Sequence, residues 1–87
     1  LAYVANLTEQ AACRVLNATD IASPLIEGME NGALALGKRW DKVFANEMNP
    51  AEFKLLAADT RVFLNEQLPQ KAQATHAQLT EIMMAQD

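Results

Sequence analysis

Apolar and small residues recur at intervals of three, four and seven along the first half of the chain, from Leu1 to about Ala45. Such spacing places them on one face of an α-helix. That face comprises Val4, Ala11, Val15, Ala18, Ala22, Leu25, Met29, Leu36 and Val43. A second stripe comprises Leu7, Ile21, Trp40 and Phe44. It widens the face, as expected for a helix with neighbours on two sides of a bundle.

A helix of this length limits the overall shape of the molecule. Some 40 residues of helix span about 60 Å, whereas a compact globule of this size has a radius of gyration near 12 Å. Three glycines and three prolines are too few to supply the turns of a β-sandwich or barrel. We therefore predict one all-α domain over 1–87, an elongated antiparallel helical hairpin. Pairing as a homodimeric four-helix bundle would bury its apolar seam.

The pattern predicts three helical stretches, over 1–45, 50–67 and 76–87. Asn49 followed by Pro50 is a typical helix start, with a cap residue and then proline in the first turn. Pro69 predicts that this second helix ends near Gln67, because proline disfavours helical geometry in the residue before it. The polar stretch 70–74 then reads as a loop. Thr75 is predicted to cap the next helix.

Pro24 interrupts the pattern of the first helix. It removes an amide donor, which predicts a kink or break at about residues 20–23. Gly28, Gly32 and Gly37 follow, and each lowers helix propensity by about 1 kcal/mol relative to alanine. These glycines mark either the weakest part of the helix or a close approach of a second helix, and the pattern is consistent with both.

Composition excludes several classes of function. Seven basic and eleven acidic side chains give a net charge of −4, which argues against a nucleic-acid partner. One cysteine and one histidine provide neither a disulfide nor a ligand set for a metal or cofactor. Apolar runs are too short for membrane insertion and no signal peptide is evident, so we expect a cytoplasmic protein. The absence of an initiator methionine suggests a fragment.

Few residues are candidates for chemistry. His76 is the one imidazole and was considered as a phosphate acceptor, but its position in a first helical turn favours a solvated side chain. Cys13 lies beside Arg14 with no base placed near it, which favours an unreactive thiol. Four large or apolar side chains gather at the end of the first helix and its break: Trp40, Val43, Phe44 and Met48. They either cap the core or anchor a partner, and the cap is the favoured alternative.

Three segments together carry a family resemblance: KRWD over 38–41, DTRVFL over 59–64, and QLTEIMMAQD over 78–87. The chain resembles the CheZ family of chemotaxis phosphatases, which dephosphorylate the response regulator CheY. The last segment is the most specific. The similarity covers nearly the whole chain and is weakest over 46–56.

The resemblance implies a fold, a reaction and partners. It implies a homodimeric four-helix bundle and, just beyond Asp87, a catalytic aspartate followed four residues later by a glutamine. The chain as printed is therefore expected to be inactive by itself. The required Mg²⁺ is expected on CheY. Met83, Gln86 and Asp87 share a helical face with that pair and are expected to border the CheY docking surface.

At the hairpin tip, the resemblance implies a second partner, the short form of the kinase CheA, with recruitment to chemoreceptor clusters. Two other functions remain open at this point. One is a non-enzymatic bundle adaptor that binds a partner at its tip, and the other is histidine phosphotransfer through His76.

Overall fold

The computed structural model describes residues 2–86, with side chains from residue 4 to residue 86. Two helical arms run antiparallel. The first is α1 (Ala2–Phe44), and the return arm consists of α2 (Pro50–Val62), a π-helical segment (Phe63–Gln67) and α3 (Leu68–Ala85). The radius of gyration is 19.7 Å and the extents are 68 × 18 × 13 Å. Over these residues the predicted all-α hairpin is confirmed.

Of the kink or break predicted at Pro24, the break is wrong. Proline lies inside α1, whose 43 residues continue from Ala2 to Phe44. At about 1.5 Å per residue such a helix is about 64 Å long, close to the long axis of the molecule. Proline costs the helix one hydrogen bond, but packing beside it persists, since Ala22 is buried and shares a groove with Leu79 and Ile82 of α3.

The turn between the arms is closed by backbone hydrogen bonds. Asn46 has φ 58°, in the left-handed region that asparagine tolerates better than most residues. Its N–H donates to the carbonyl of Val43 at 3.1 Å, and the N–H of Glu47 donates to that of Lys42 at 2.9 Å. This pair of bonds is the Schellman arrangement at a helix C-terminus.

The predicted start of α2 is confirmed. The Asn49 side-chain oxygen accepts from the N–H of Glu52 at 2.8 Å, and Pro50 occupies the first helical position. The Asn49 amide also donates to the Glu52 carboxylate at 2.6 Å. The two residues thus cap the helix reciprocally.

The predicted end near Gln67 and the loop over 70–74 are wrong. Leu68 has helical angles, φ −65° and ψ −50°, and α3 begins there. Its N–H donates to the carbonyl of Phe63, five residues earlier, so a wider π turn makes room for the ring of Pro69. Thr75 lies inside α3 and caps nothing. Its hydroxyl donates to the carbonyl of Lys71 at 2.7 Å.

The predicted apolar face of α1 forms the seam of the hairpin. Ala18 and Ala22 are buried there, and the return arm contributes Leu56, Phe63 and Ala85. Apart from Val4, which is exposed, the remaining members of that face are half-buried. In the second stripe only Trp40 is half-buried, whereas Leu7, Ile21 and Phe44 are exposed. The hairpin alone therefore does not cover the second stripe.

Two of the three glycines allow close approach of the arms. A β-carbon on Gly32 would lie 2.6 Å from the Phe63 ring, and one on Gly28 would lie 2.8 Å from Cε of Lys71. No atom lies within 4 Å of the corresponding position at Gly37. The close-approach reading therefore holds for Gly28 and Gly32 within the hairpin.

Gly32→Ala should destabilise the protein relative to Gly37→Ala. Both variants gain the same helix propensity, so the difference between them isolates the clash with the buried Phe63 ring, which should cost about 1–3 kcal/mol. Urea denaturation followed by circular dichroism measures the two free energies of unfolding. Equal values would show that the Phe63 ring moves aside freely.

Candidate functional site

Met83 and Gln86 lie at the end of the hairpin remote from the turn. Met83 is 68% exposed, and Gln86 is exposed as well. Met83 lies in the last turn of α3, and Gln86, three residues later, is the C-cap residue of that helix. We call the two residues, with the groove beside Gln86, the stem-end surface. The third predicted member, Asp87, lies outside the described residues.

The stem-end groove has a volume of about 590 Å³ and runs between the two arms. Its walls combine apolar and polar side chains, including Leu7, Gln10, Arg14, Val15, Met84 and Gln86. Met84 is 56% exposed in this groove. A flexible thioether beside an amide suits contact with a protein surface of mixed polarity.

An ion pair holds α3 against α1 close to this surface. Nε and Nη2 of Arg14 donate to the same oxygen of Glu81, at 2.9 and 2.7 Å. Both side chains are 43% exposed, so the pair contributes only about 0–1 kcal/mol to stability. Its role is to set the register of the arms. Spacing could not reveal it, because 67 residues separate the partners.

At the tip, Trp40 joins the arms. Its indole N–H donates to the Thr60 hydroxyl at 2.9 Å. Its ring meets Phe53 edge-on, with centroids 5.8 Å apart and planes at 86°. This geometry suits an aromatic pair in a core. For Trp40 the structure therefore agrees with the cap alternative.

Phe44 differs from Trp40 in being 84% exposed. Next to it, a groove of about 420 Å³ is lined by Val43, Asn46, Met48, Asn49, Pro50 and Phe53. Val43 and Met48 are half-buried in its walls. We call Phe44 with this groove the tip surface. Of the four predicted tip residues, Phe44 is the one free to insert into a partner.

A second ion pair joins the arms near the tip. Nη1 of Arg39 donates to Oδ2 of Asp59 at 2.8 Å, joining α1 to α2. The side chains are 37% and 50% exposed. This pair and the Trp40–Thr60 bond fasten the tip as the Arg14–Glu81 pair fastens the stem end.

The two side chains considered for reactivity are both exposed, Cys13 on α1 and His76 on α3. His76 lies in the middle of α3, not in a first turn as predicted. Over residues 2–86 no three histidine, cysteine or acidic side chains are grouped so as to hold a metal ion. Within the same range, no helix has the length and apolar character needed to cross a membrane.

The chain is similar to known proteins over its whole length. The family described as "Chemotaxis phosphatase, CheZ" matches residues 1–87. The "Protein phosphatase CheZ" of Bordetella pertussis is 49% identical over the whole chain, which covers 41% of that relative. The proteins of the same name from Burkholderia multivorans and Escherichia fergusonii are 53% and 46% identical, with 35% and 40% of their lengths covered.

The chain thus spans well under half the length of the curated relatives it matches. No solved structure matches it significantly. The family match extends over every residue of the chain. The resemblance seen in the sequence is therefore confirmed, and the chain belongs to the CheZ family of chemotaxis phosphatases.

Proposed function

We propose that the protein carrying this chain accelerates removal of the phosphoryl group from the aspartyl phosphate of CheY. The observation that supports this most strongly is the family match over residues 1–87, with relatives named protein phosphatase CheZ at 46–53% identity. In the reaction, water attacks phosphorus, the bond to the aspartyl oxygen breaks, and inorganic phosphate leaves. Catalysis of this kind depends on positioning and charge stabilisation rather than on a covalent enzyme intermediate.

Within that protein we assign the described residues a scaffold and docking role. We assign the catalytic aspartate and glutamine of the family to the sequence after Asp87, and we assign the Mg²⁺ site to CheY. Met83, Gln86 and Asp87 would then border the CheY contact. The exposure of Met83 and Gln86 and their separation by less than one helical turn support this assignment.

We further propose a homodimer that pairs two hairpins through one apolar face. This apolar face consists of Ala22 and Ile26 on α1 with Leu79 and Ile82 on α3, around a groove of about 340 Å³. The interhelical ion pairs lie elsewhere: Arg14, twelve residues before Ile26, projects about 120° away from it. Ile26 is 49% exposed and Leu79 is 51% exposed in the single hairpin, so pairing would remove apolar surface from water.

The proposed activity is tested with the intact protein and phosphorylated CheY. Phosphate release should accelerate when the protein is added, in proportion to its concentration and with a requirement for Mg²⁺. No acceleration by folded dimer would reject the enzyme proposal. The bundle adaptor would then be the better description.

Alanine at Met83, Gln86 and Asp87 together should weaken binding of phosphorylated CheY by about tenfold or more, because losing three side chains that border the contact needs to cost only about 1.4 kcal/mol in total to give that change. Fluorescence titration of CheY with the intact protein measures the affinity. The matched control is Phe44→Ala at the opposite end of the hairpin, which should leave this affinity unchanged. Unchanged CheY affinity in the triple variant would exclude the stem-end surface as the docking site.

The tip surface is proposed to bind a second partner, the short form of CheA, which would bring the phosphatase to chemoreceptor clusters. Phe44 supports this, since its largely exposed phenyl ring lies beside an open groove whose walls include Val43, Met48 and Phe53, and such contiguous apolar surface marks interaction sites. Phe44→Ala should reduce CheA binding at least about tenfold while dephosphorylation of CheY by the folded dimer stays unchanged. The reverse pattern, lost turnover with intact CheA binding, would refute this division of roles.

A further inference from the structure

Helix-weakening residues of both arms lie close together along the hairpin. On α1 these are Pro24, Gly28 and Gly32, and on the return arm they are the π-helical segment and Pro69. The arms are in register there, since Gly32 faces the Phe63 ring and Gly28 faces the Lys71 side chain. Residues 28–32 of α1 therefore lie opposite residues 63–71 of the return arm, and Pro24 lies about one helical turn nearer the stem.

Backbone hydrogen bonding is interrupted in both arms in this part of the hairpin. Pro24 and Pro69 have no N–H to donate to the preceding turn. On the return arm the N–H of Leu68 reaches back five residues to Phe63, which replaces the usual four-residue bond. Prolines and π turns are the places where helices bend sharply.

No polar bond between described residues joins the two arms at this level, where Gly32 packs against the Phe63 ring. The polar bonds that join the arms lie outside it, with Arg14–Glu81 on the stem side and Arg39–Asp59 and Trp40–Thr60 on the tip side. Among the described residues, no interhelical hydrogen bond or ion pair lies between them. At Gly28 the contact is the far end of a lysine side chain, which follows a moving helix easily.

We infer that the hairpin bends at this level, so that the tip moves as a unit relative to the stem. We call residues 24–32 with residues 63–69 the joint. The inference concerns the mechanics of the hairpin and stands whether or not the proposed activity is correct. If only one arm had a weak stretch, the intact helix packed against it would keep that arm straight. Here the weak stretches of the two arms overlap at residues 28–32 of α1.

A distance measurement across the joint tests this inference. Cys13 is exposed on the stem, and Ala45, exposed at the turn, is replaced by cysteine. The two sites are separated by about 48 Å of helix, a suitable length for paired spin labels. The intact protein is used, with any cysteines outside this chain replaced by serine. Labelled chains are diluted into unlabelled protein so that each dimer carries one pair.

The expected result is a broad distance distribution that narrows in the double variant Pro24→Ala, Gly28→Ala, which restores a donor and removes a flexible residue. In the unmodified protein, amide hydrogens of residues 63–69 should exchange about tenfold faster than those of residues 36–43. In the double variant, exchange in residues 63–69 should become slower, although these residues lie on the other arm. Gly37→Ala lies outside the joint and is the matched control. It should change neither readout.

The inference fails if the double variant leaves the width of the distribution unchanged. It also fails if Gly37→Ala narrows the distribution as much, since general helix stiffening would then explain the effect. Slower exchange confined to α1, with residues 63–69 unaffected, would show that the arms do not bend together.

Discussion

Leu56→Ala should lower the free energy of unfolding by about 2–5 kcal/mol, the range found when a large buried aliphatic side chain is truncated. Leu56 is the largest fully buried side chain, at 0% exposure. The seam around it is thin, because the buried residues of α1 are alanines. Few neighbouring side chains are therefore available to collapse into the cavity left by the substitution.

The adjacent residue provides the control for this prediction. Leu55 has the same chemistry and lies on the same helix, but it is 61% exposed. Leu55→Ala should change the free energy of unfolding by less than about 0.5 kcal/mol. Urea denaturation of both variants measures the difference. A similar loss in the two would contradict the burial described for α2.

Ile26→Asp should weaken dimerisation at least about 100-fold. Ile26 is 49% exposed in the single hairpin and lies on the proposed apolar face. Pairing would bury the introduced carboxylate without a cation, which costs several kcal/mol. Analytical ultracentrifugation over a range of concentrations gives the dissociation constant. The hairpin itself should stay helical by circular dichroism, since Ile26 is not part of its buried core.

Leu34→Asp is the matched control for the dimer. Leu34 is 58% exposed and lies eight residues after Ile26, which turns it about 80° further from the seam. It should therefore remain in solvent when the apolar faces meet, and its substitution should leave the dissociation constant within about twofold of that of the unmodified protein. Equal weakening by both substitutions would place the interface elsewhere.

The tip shows how far pattern reasoning reaches in the candidate site. The cluster of Trp40, Val43, Phe44 and Met48 was predicted from spacing, but spacing did not separate its members. The structure does so, because Thr60 and Phe53 come back from the return arm to enclose Trp40 and leave Phe44 exposed. At the stem end, Met83, Gln86 and Asp87 were predicted from the resemblance. Asp87 lies outside the described residues.

The return arm shows where pattern reasoning fails. Pro69 predicted an extended Leu68 and a loop after it, since proline disfavours a helical residue before it. That preference is local and modest. The structure overrides it with a π turn, which accommodates the ring while Phe63 stays buried against Gly32. Burial of an aromatic ring is a long-range gain, which the local pattern around residue 69 does not contain.

The pattern of residues along the chain was enough to predict the helical class, the antiparallel turn and the face of α1 that forms the seam. These follow from periodicity and capping, which act over a few neighbouring residues. Contacts between the two arms explain why the helices continue through Pro24 and Pro69 and why Gly32 packs against Phe63. They also determine which charged side chains form ion pairs. Those outcomes depend on contacts between residues 20 to 67 positions apart, whose energies appear only once the arms are packed together.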